Sequence, residues 1–193
     1  MEQNDALSHF RRAGAYLEGH FQLSSGLHST CYMQSALVLA HPAEAERFGR
    51  ALAARVKVLE PTVALSLALG GIILGHEVAR PLGVPALFAE RSAAPTPALS
   101  LRRGFALAPG DRVLIVEDVL TTGGSTREAM EVARAAGAQV VGVAAIVDRS
   151  GGTIDFGVPC KTLITMSLPT YDPAACPLCK QGVPITKPGS RPT

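Results

Sequence analysis

The chain has 193 residues, 47% of them hydrophobic, 18% charged and 5% aromatic, with a formal net charge of +2. This is enough apolar length for one domain whose core depends on neither disulfides nor metal, and it excludes a wholly disordered chain. The near balance of 18 basic and 16 acidic residues, with no tryptophan, argues against a non-specific nucleic-acid binder or a base-stacking platform.

Met1 to Asp5 lack a basic stretch followed by an apolar run, so no signal peptide is expected. Asp5 is placed to cap a first helix ending near Gly14. A second helix is predicted from Pro42, with Ala45, Phe48, Leu52, Val56 and Leu59 recurring at steps of three and four along one face. Thr62–Leu67 reads as a buried strand, Gly70-Gly71 as the break after it, and the stretch to about Leu82 as a helix. The most apolar run, Val63–Gly75, is too short to cross a bilayer. Val84–Phe88 reads as a short strand, with Pro85 pointing to a sheet edge. Residues 90–103 read as a polar loop of functional length. Arg112–Val116 is the clearest strand, and a helix from Ser125 to Ala136 follows, with Ser125 and Glu128 spaced as a capping box. Gln139–Val147 completes a strand-helix-strand unit. From about 150 onward the chain carries seven of the 14 prolines and predicts short strands and turns. The pattern implies one α/β domain, a helix-flanked parallel sheet over about 42–149, with the segments 1–40 and 150–193 outside it. The protein is expected to be cytoplasmic, with Cys31, Cys160, Cys176 and Cys179 reduced.

The most informative stretch is Val116-Glu117-Asp118-Val119-Leu120-Thr121-Thr122-Gly123-Gly124-Ser125. Two acids stand at the carboxyl end of a buried strand, where open parallel sheets bind ligands. The glycine- and hydroxyl-rich turn then runs into a helix N-terminus, whose unpaired N–H groups and dipole favour a phosphate. Carboxylates repel phosphate, so Glu117 and Asp118 need another partner, and the hydroxyls of a ribose supply one. A ribose 5-phosphate satisfies both halves. There is no lysine after the glycines and no G-x-G-x-x-G, so neither a nucleotide P-loop nor a dinucleotide site fits. Leu69-Gly70-Gly71 again joins a strand to a helix and is a second candidate anion loop. The pair Cys176-Pro177-Leu178-Cys179 has metal-ligand spacing but supplies half of a zinc site. No second pair exists, and Cys160 or a histidine would have to complete it by spatial coincidence.

The stretch 116–125 resembles the phosphoribosyl-diphosphate (PRPP) signature of the type I phosphoribosyltransferases. Gly19–Ser29, with Ser24-Ser25-Gly26 at its centre and Tyr32 and Gln34 beyond, is similar to the N-terminal signature of the orotate phosphoribosyltransferases. Val147-Asp148-Arg149 stands where these enzymes carry an orotate-contacting arginine. The likeness covers nearly the whole chain, including the Cys-Pro-Leu-Cys and Lys-Pro-Gly-Ser-Arg tail of one bacterial branch. It implies a type I phosphoribosyltransferase-like sheet with a small hood built from both end segments. It also implies transfer of ribose 5-phosphate from PRPP to orotate, giving orotidine 5′-monophosphate, a homodimer with sites near its interface, and Mg2+ held mainly through PRPP rather than by direct protein ligands. The implied PRPP contacts are residues 117–125, that is Glu117, Asp118, Val119, Leu120, Thr121, Thr122, Gly123, Gly124 and Ser125, together with Leu69, Gly70, Gly71 and Arg91. The implied orotate contacts are Thr121, Arg149, Ser24, Ser25 and Gly26. Arg149 also has an independent rationale, since a planar two-pronged donor suits a carboxylate beside ring carbonyls. Its bland alternative is a surface salt bridge with Asp148 or another acid.

The chain departs from the family in three places. Many members have a lysine where Ser24 stands, a Tyr-Lys pair near Leu69-Gly70, and a mobile loop bearing lysine and histidine. Residues 90–103 contain neither, and their cations are Arg91, Arg102 and Arg103. Arg91, following a strand end, is the candidate to act in catalysis with Glu117 and Asp118, while Arg102 and Arg103 suit the loop base. A purine-base transferase would keep 117–125 but has no use for a carboxylate-binding arginine at 149. A non-enzymatic PRPP sensor would need an added DNA-binding module.

Overall fold

Alternating side chains on the strand Arg112–Leu120 organise the molecule. Leu114 and Val116 join one hydrophobic cluster, and Val113 and Ile115 join another, so the two faces of the sheet carry separate cores. The computed structural model describes residues 1–23, 25–92 and 98–188. Its elements in chain order are α1 (Gln3–Arg12), β1 (Tyr16–Gln22), β2 (His28–Met33), α2 (Ser35–Leu39), α3 (Pro42–Val56), β3 (Val63–Leu67), α4 (Gly71–Leu82), β4 (Ala86–Arg91), β5 (Leu99–Leu101), β6 (Arg112–Leu120), α5 (Gly124–Ala135), β7 (Gln139–Asp148), β8 (Cys160–Thr165), β9 (Thr170–Tyr171) and α6 (Pro177–Lys180). A six-stranded sheet runs β5-β4-β3-β6-β7-β8, parallel except where β5 meets β4. On one face, Phe10 of α1 and Phe48 of α3 meet edge to face at 5.8 Å, above Leu114, Val116 and Ile146. On the other, Ala129, Met130 and Ala133 of α5 cover Leu65, Ile115 and Val143. Strands buried on both sides need no polar alternation, which is why β3 and β7 read as continuous apolar runs. A smaller antiparallel sheet, β1-β2-β9, forms the hood from both ends of the chain.

Several sequence expectations are corrected. The first helix begins at Gln3 after Glu2, placing Asp5 in the first turn, where a carboxylate still complements the helix dipole. No capping box forms at α5: its N-cap is Gly123, without a side-chain cap, and Glu128 is bound by Arg91 instead. Pro85 precedes β4, which is not an edge strand because β5 pairs with it through Ala89↔Leu101 and Arg91↔Leu99. Residues 90–103 are therefore partly a hairpin, signalled by the alternation Leu99-x-Leu101, both half-buried. The core sheet also continues past residue 149, since β8 pairs in parallel with β7. No helix is long and apolar enough to cross a membrane among the described residues.

Candidate active site

Glu117 and Asp118 are neighbours in β6 that point to different surroundings. Glu117 accepts a short hydrogen bond from the Thr126 hydroxyl of α5. Burial raises its carboxyl to about 7, the Thr126 bond works against the rise, and the neighbouring Asp118 charge adds to it. Asp118 turns to the α4 side. A Cβ added to Gly70 would stand 2.8 Å from its Oδ2, so only glycine lets the loop before α4 lie against this carboxylate. Burial raises Asp118 as well, opposed by the N–H groups of its own residue and of Val119. The Ser35 hydroxyl also helps hold it down from nearby, although it forms no well-shaped hydrogen bond. Desolvation thus makes two adjacent charges costly, and a ligand that donates hydrogen bonds or brings a cation offsets that cost.

Downstream, Gly123 takes a left-handed conformation at φ 76°, and a Cβ there would lie 2.9 Å from the Phe156 ring. Both constraints demand glycine, and they deliver the chain to the start of α5 with its first N–H groups free of intrahelical partners. The loop 68–71, whose Ala68–Leu69 peptide is cis, leads into α4 in the same way, with Leu69 85% exposed. Leu120 is fully buried, so its part in any contact is through the backbone. Its carbonyl accepts the Arg149 N–H at 2.9 Å.

A cavity of roughly 550 Å³ opens between the end of β6 and the hood. Asp118, Val119, Thr121 and Thr122 form its floor, and Arg149 stands on one side. Gln22, Leu23, Ser25, Tyr32, Met33 and Gln34 form the hood wall, closed by Lys187 and Pro188. Asp148 is not the partner of Arg149. Its carboxylate accepts from the Ser150 N–H and hydroxyl at 2.8 and 2.6 Å and from the Gly152 N–H at 2.9 Å. The Arg149 Nε is buried without a hydrogen-bond partner among the described residues, and burial lowers the guanidinium pKa. Tyr32 of the hood wall feels both charges: burial raises its phenol, Asp118 adds to the rise and Arg149 opposes it. An arginine with an unpartnered Nε and an acid raised by burial therefore line one polar chamber.

The sequence-predicted residues divide accordingly. Asp118, Val119, Thr121, Thr122, Arg149 and Ser25 line the chamber. Gly70 abuts Asp118, and Glu117 lies just behind it. Gly26 forms the β1–β2 turn at φ 84°, and Ser24 lies outside the described residues. Arg91 sits at the end of β4, in a two-pronged ion pair with Glu128 at 2.7 and 3.0 Å, and is not part of the chamber wall. Arg103 anchors the hairpin base through a similar pair with Glu90. Thr126, the partner of Glu117, carries no sequence signal. Gln22, Tyr32 and Gln34 belong to the N-terminal motif and Lys187 to the Lys-Pro-Gly-Ser-Arg tail, but nothing in the sequence gives any of them a contact.

The phosphoribosyl transferase domain model matches residues 35–168, a stretch that runs from α2 through β8 and contains the whole β6–α5 turn. The fold agrees: the chain is similar to the crystal structure of orotate phosphoribosyltransferase from Aeropyrum pernix, with a TM-score of 0.69 over 82% of this chain and 92% of that one at 24% identity. Fold and turn together define the class, a type I phosphoribosyltransferase. Curated relatives are more particular. Orotate phosphoribosyltransferase of Pelotomaculum thermopropionicum is 50% identical over 191 residues, 99% of each chain. That of Thermotoga maritima is 49% identical over 180 residues, covering 93% of this chain and 95% of its own. The chain belongs to the orotate phosphoribosyltransferase family.

Proposed function

We propose that this chamber transfers ribose 5-phosphate from PRPP to orotate, giving orotidine 5′-monophosphate and diphosphate in pyrimidine nucleotide synthesis. The observation that carries the reading is Arg149, a half-buried guanidinium whose Nε is itself buried and unpartnered among the described residues, on a chamber that Asp118 also lines. A carboxylated base satisfies the arginine, and a ribose diol satisfies the acids. In the reaction a ring nitrogen of orotate gives up its proton, to solvent or to the departing diphosphate, and forms the bond to carbon 1 of the ribose. The carbon–oxygen bond to diphosphate breaks, and its electron pair leaves with the diphosphate. Positive charge develops on the sugar, next to the buried acids. The backbone of 121–125 holds the 5-phosphate at the start of α5, and the loop 69–71 holds diphosphate oxygens at the start of α4. Fixing both ends of the sugar supplies alignment, which is a large share of the barrier lowering.

The donors facing the chamber near β6 are the Asp118 carboxylate and the Thr121 and Thr122 hydroxyls, an all-oxygen set that suits a hard cation. Asp118, Thr121 and Thr122 would hold Mg2+ together with PRPP, and the ion would supply charge neutralisation for the diphosphate. In this reading the 90–103 loop, of which residues 93–97 lie outside the described residues, closes over the sugar and shields it from water, with Arg91 as its first cation. The same reading carries a cytoplasmic enzyme acting as a homodimer, with its sites near the interface.

The deciding experiment offers orotate, uracil, adenine and xanthine together, with PRPP and Mg2+. Orotidine 5′-monophosphate is the expected product. A purine nucleotide as the main product, or no nucleotide at all, overturns the reading.

A further inference from the structure

Outside the chamber, the hood holds a second group of chemically competent side chains. His20 of β1, His28 of β2, and Cys176 and Cys179 at the start of α6 bring one ligand atom each within 4.8 Å of one another. We propose that these four residues form a tetrahedral zinc site, Cys2His2, which clamps the C-terminal segment onto the hood.

The spacing supports this. Tetrahedral zinc with Zn–N of about 2.0–2.1 Å and Zn–S of about 2.3 Å sets neighbouring ligand atoms about 3.3–3.8 Å apart. Here His20 Nε2 lies 3.0 Å from His28 Nδ1, 3.5 Å from Cys176 Sγ and 3.7 Å from Cys179 Sγ, and Cys179 Sγ lies 3.3 Å from His28 Nδ1. The tautomer also fits. His20 Nδ1 stands 2.8 Å from the Val183 carbonyl, which can only accept. The proton therefore sits on Nδ1, and the Nε2 lone pair faces the cluster, as outer-shell carbonyls arrange for metal-bound histidines. Charge is balanced as well. On binding, the two thiols release their protons to solvent, and two thiolates cancel the charge of Zn2+. A neutral unit suits a place where His20, His28 and Cys176 are nearly or fully buried. Two sulfurs and two imidazoles in this geometry select zinc over magnesium or calcium. Cys160 takes no part, since it opens β8 in the core sheet.

The clamp reaches the chamber through the backbone. Thr186 N–H donates to the His20 carbonyl at 2.8 Å, and Gln22 N–H donates to the Thr186 carbonyl at 2.8 Å. Lys187 is the next residue, in the chamber wall.

Metal analysis of the purified full-length protein should find about one zinc per chain. Replacing the zinc with Co2+ should give the intense visible bands of a tetrahedral site and a near-ultraviolet thiolate charge-transfer band. Cys179→Ser and His28→Gln should each retain at least tenfold less zinc, and Cys160→Ser should retain it fully. Zinc-free protein that gives no such spectrum with added Co2+ overturns the site, as does loss of metal in Cys160→Ser. Should the cluster variants fail to fold, thiol titration of the wild type decides. Two thiols freed by a chelator alone support zinc, whereas two thiols freed only by a reductant mean a Cys176–Cys179 disulfide and overturn it.

Discussion

The β6–α5 turn and the hood wall line one chamber but are built in opposite ways. The turn is contiguous: acids, hydroxyls, glycines and helix start follow one another within residues 117–125, and local backbone geometry alone sets their relative positions. The wall is assembled from Gln22 and Ser25 near one end of the chain and Lys187 near the other, and only strand pairing brings them together. A contiguous site depends on its own turn, while an assembled one depends on the packing of everything between its parts.

The largest effect is expected at Glu117, in the contiguous turn. Glu117→Gln should lower kcat by about 10²–10³-fold, the usual effect of removing a preorganised polar group from a transition state. The same change tests the electrostatics. Burial lifts the Glu117 carboxyl from 4.5 to about 7, so the fold favours its protonated form. The stability tied to that preference is complete below the unfolded value and is lost as pH rises through about 7. Glu117→Gln should therefore melt higher than the wild type near pH 8.5, by an amount approaching about 3 kcal/mol for a lift of this size. Near pH 4 the two should melt alike. Parallel melting curves at both pH values would contradict a buried, reluctantly ionised acid.

Arg149→Ala comes next. Losing charged hydrogen bonds of about 1.5–3 kcal/mol should raise the orotate KM about 10- to 100-fold. The PRPP KM should change little, and equal effects on both would reject the assignment. Gly123→Ala should cost about 1–3 kcal/mol, because a left-handed residue gains a Cβ facing the Phe156 ring. The midpoint of denaturant unfolding reads this, and an unchanged midpoint would show that the turn adapts. The smallest structural effect belongs to Arg91→Ala. Its pair with Glu128 is exposed, so stability should stay within about 1 kcal/mol, while kcat should fall if the hairpin acts in transfer. An unchanged kcat removes Arg91 from the reaction.

The same contrast explains what was legible in the sequence. β3, β6 and β7 were readable because strands covered on both faces are apolar throughout, and α3 because Ala45, Phe48, Leu52 and Val56 repeat at helical spacing. The β6–α5 turn was readable as one unit because its parts adjoin. Short elements were not: β5 has three residues, and its pairing with β4 is decided by the sheet rather than by local propensity. The Ser125–Glu128 spacing misled because tertiary pairing with Arg91 took the glutamate from the cap. Arg149 was singled out by its place after β7, whereas Lys187 stood in the Lys-Pro-Gly-Ser-Arg tail with no contact attached to it. The cysteine pair looked like half a site because its histidines, His20 and His28, lie on a distant hairpin. Two histidines facing each other across that hairpin were the available signal.

The pairing of residues 20–22 with Thr186 has a consequence for how the molecule is made. As the nascent chain leaves the ribosome, all six strands of the large sheet emerge before Lys187 does, so the scaffold can condense while one side of the binding chamber is still missing. The wall of the chamber is completed as a late, separate event, when the segment around Lys187 docks back against the first hairpin.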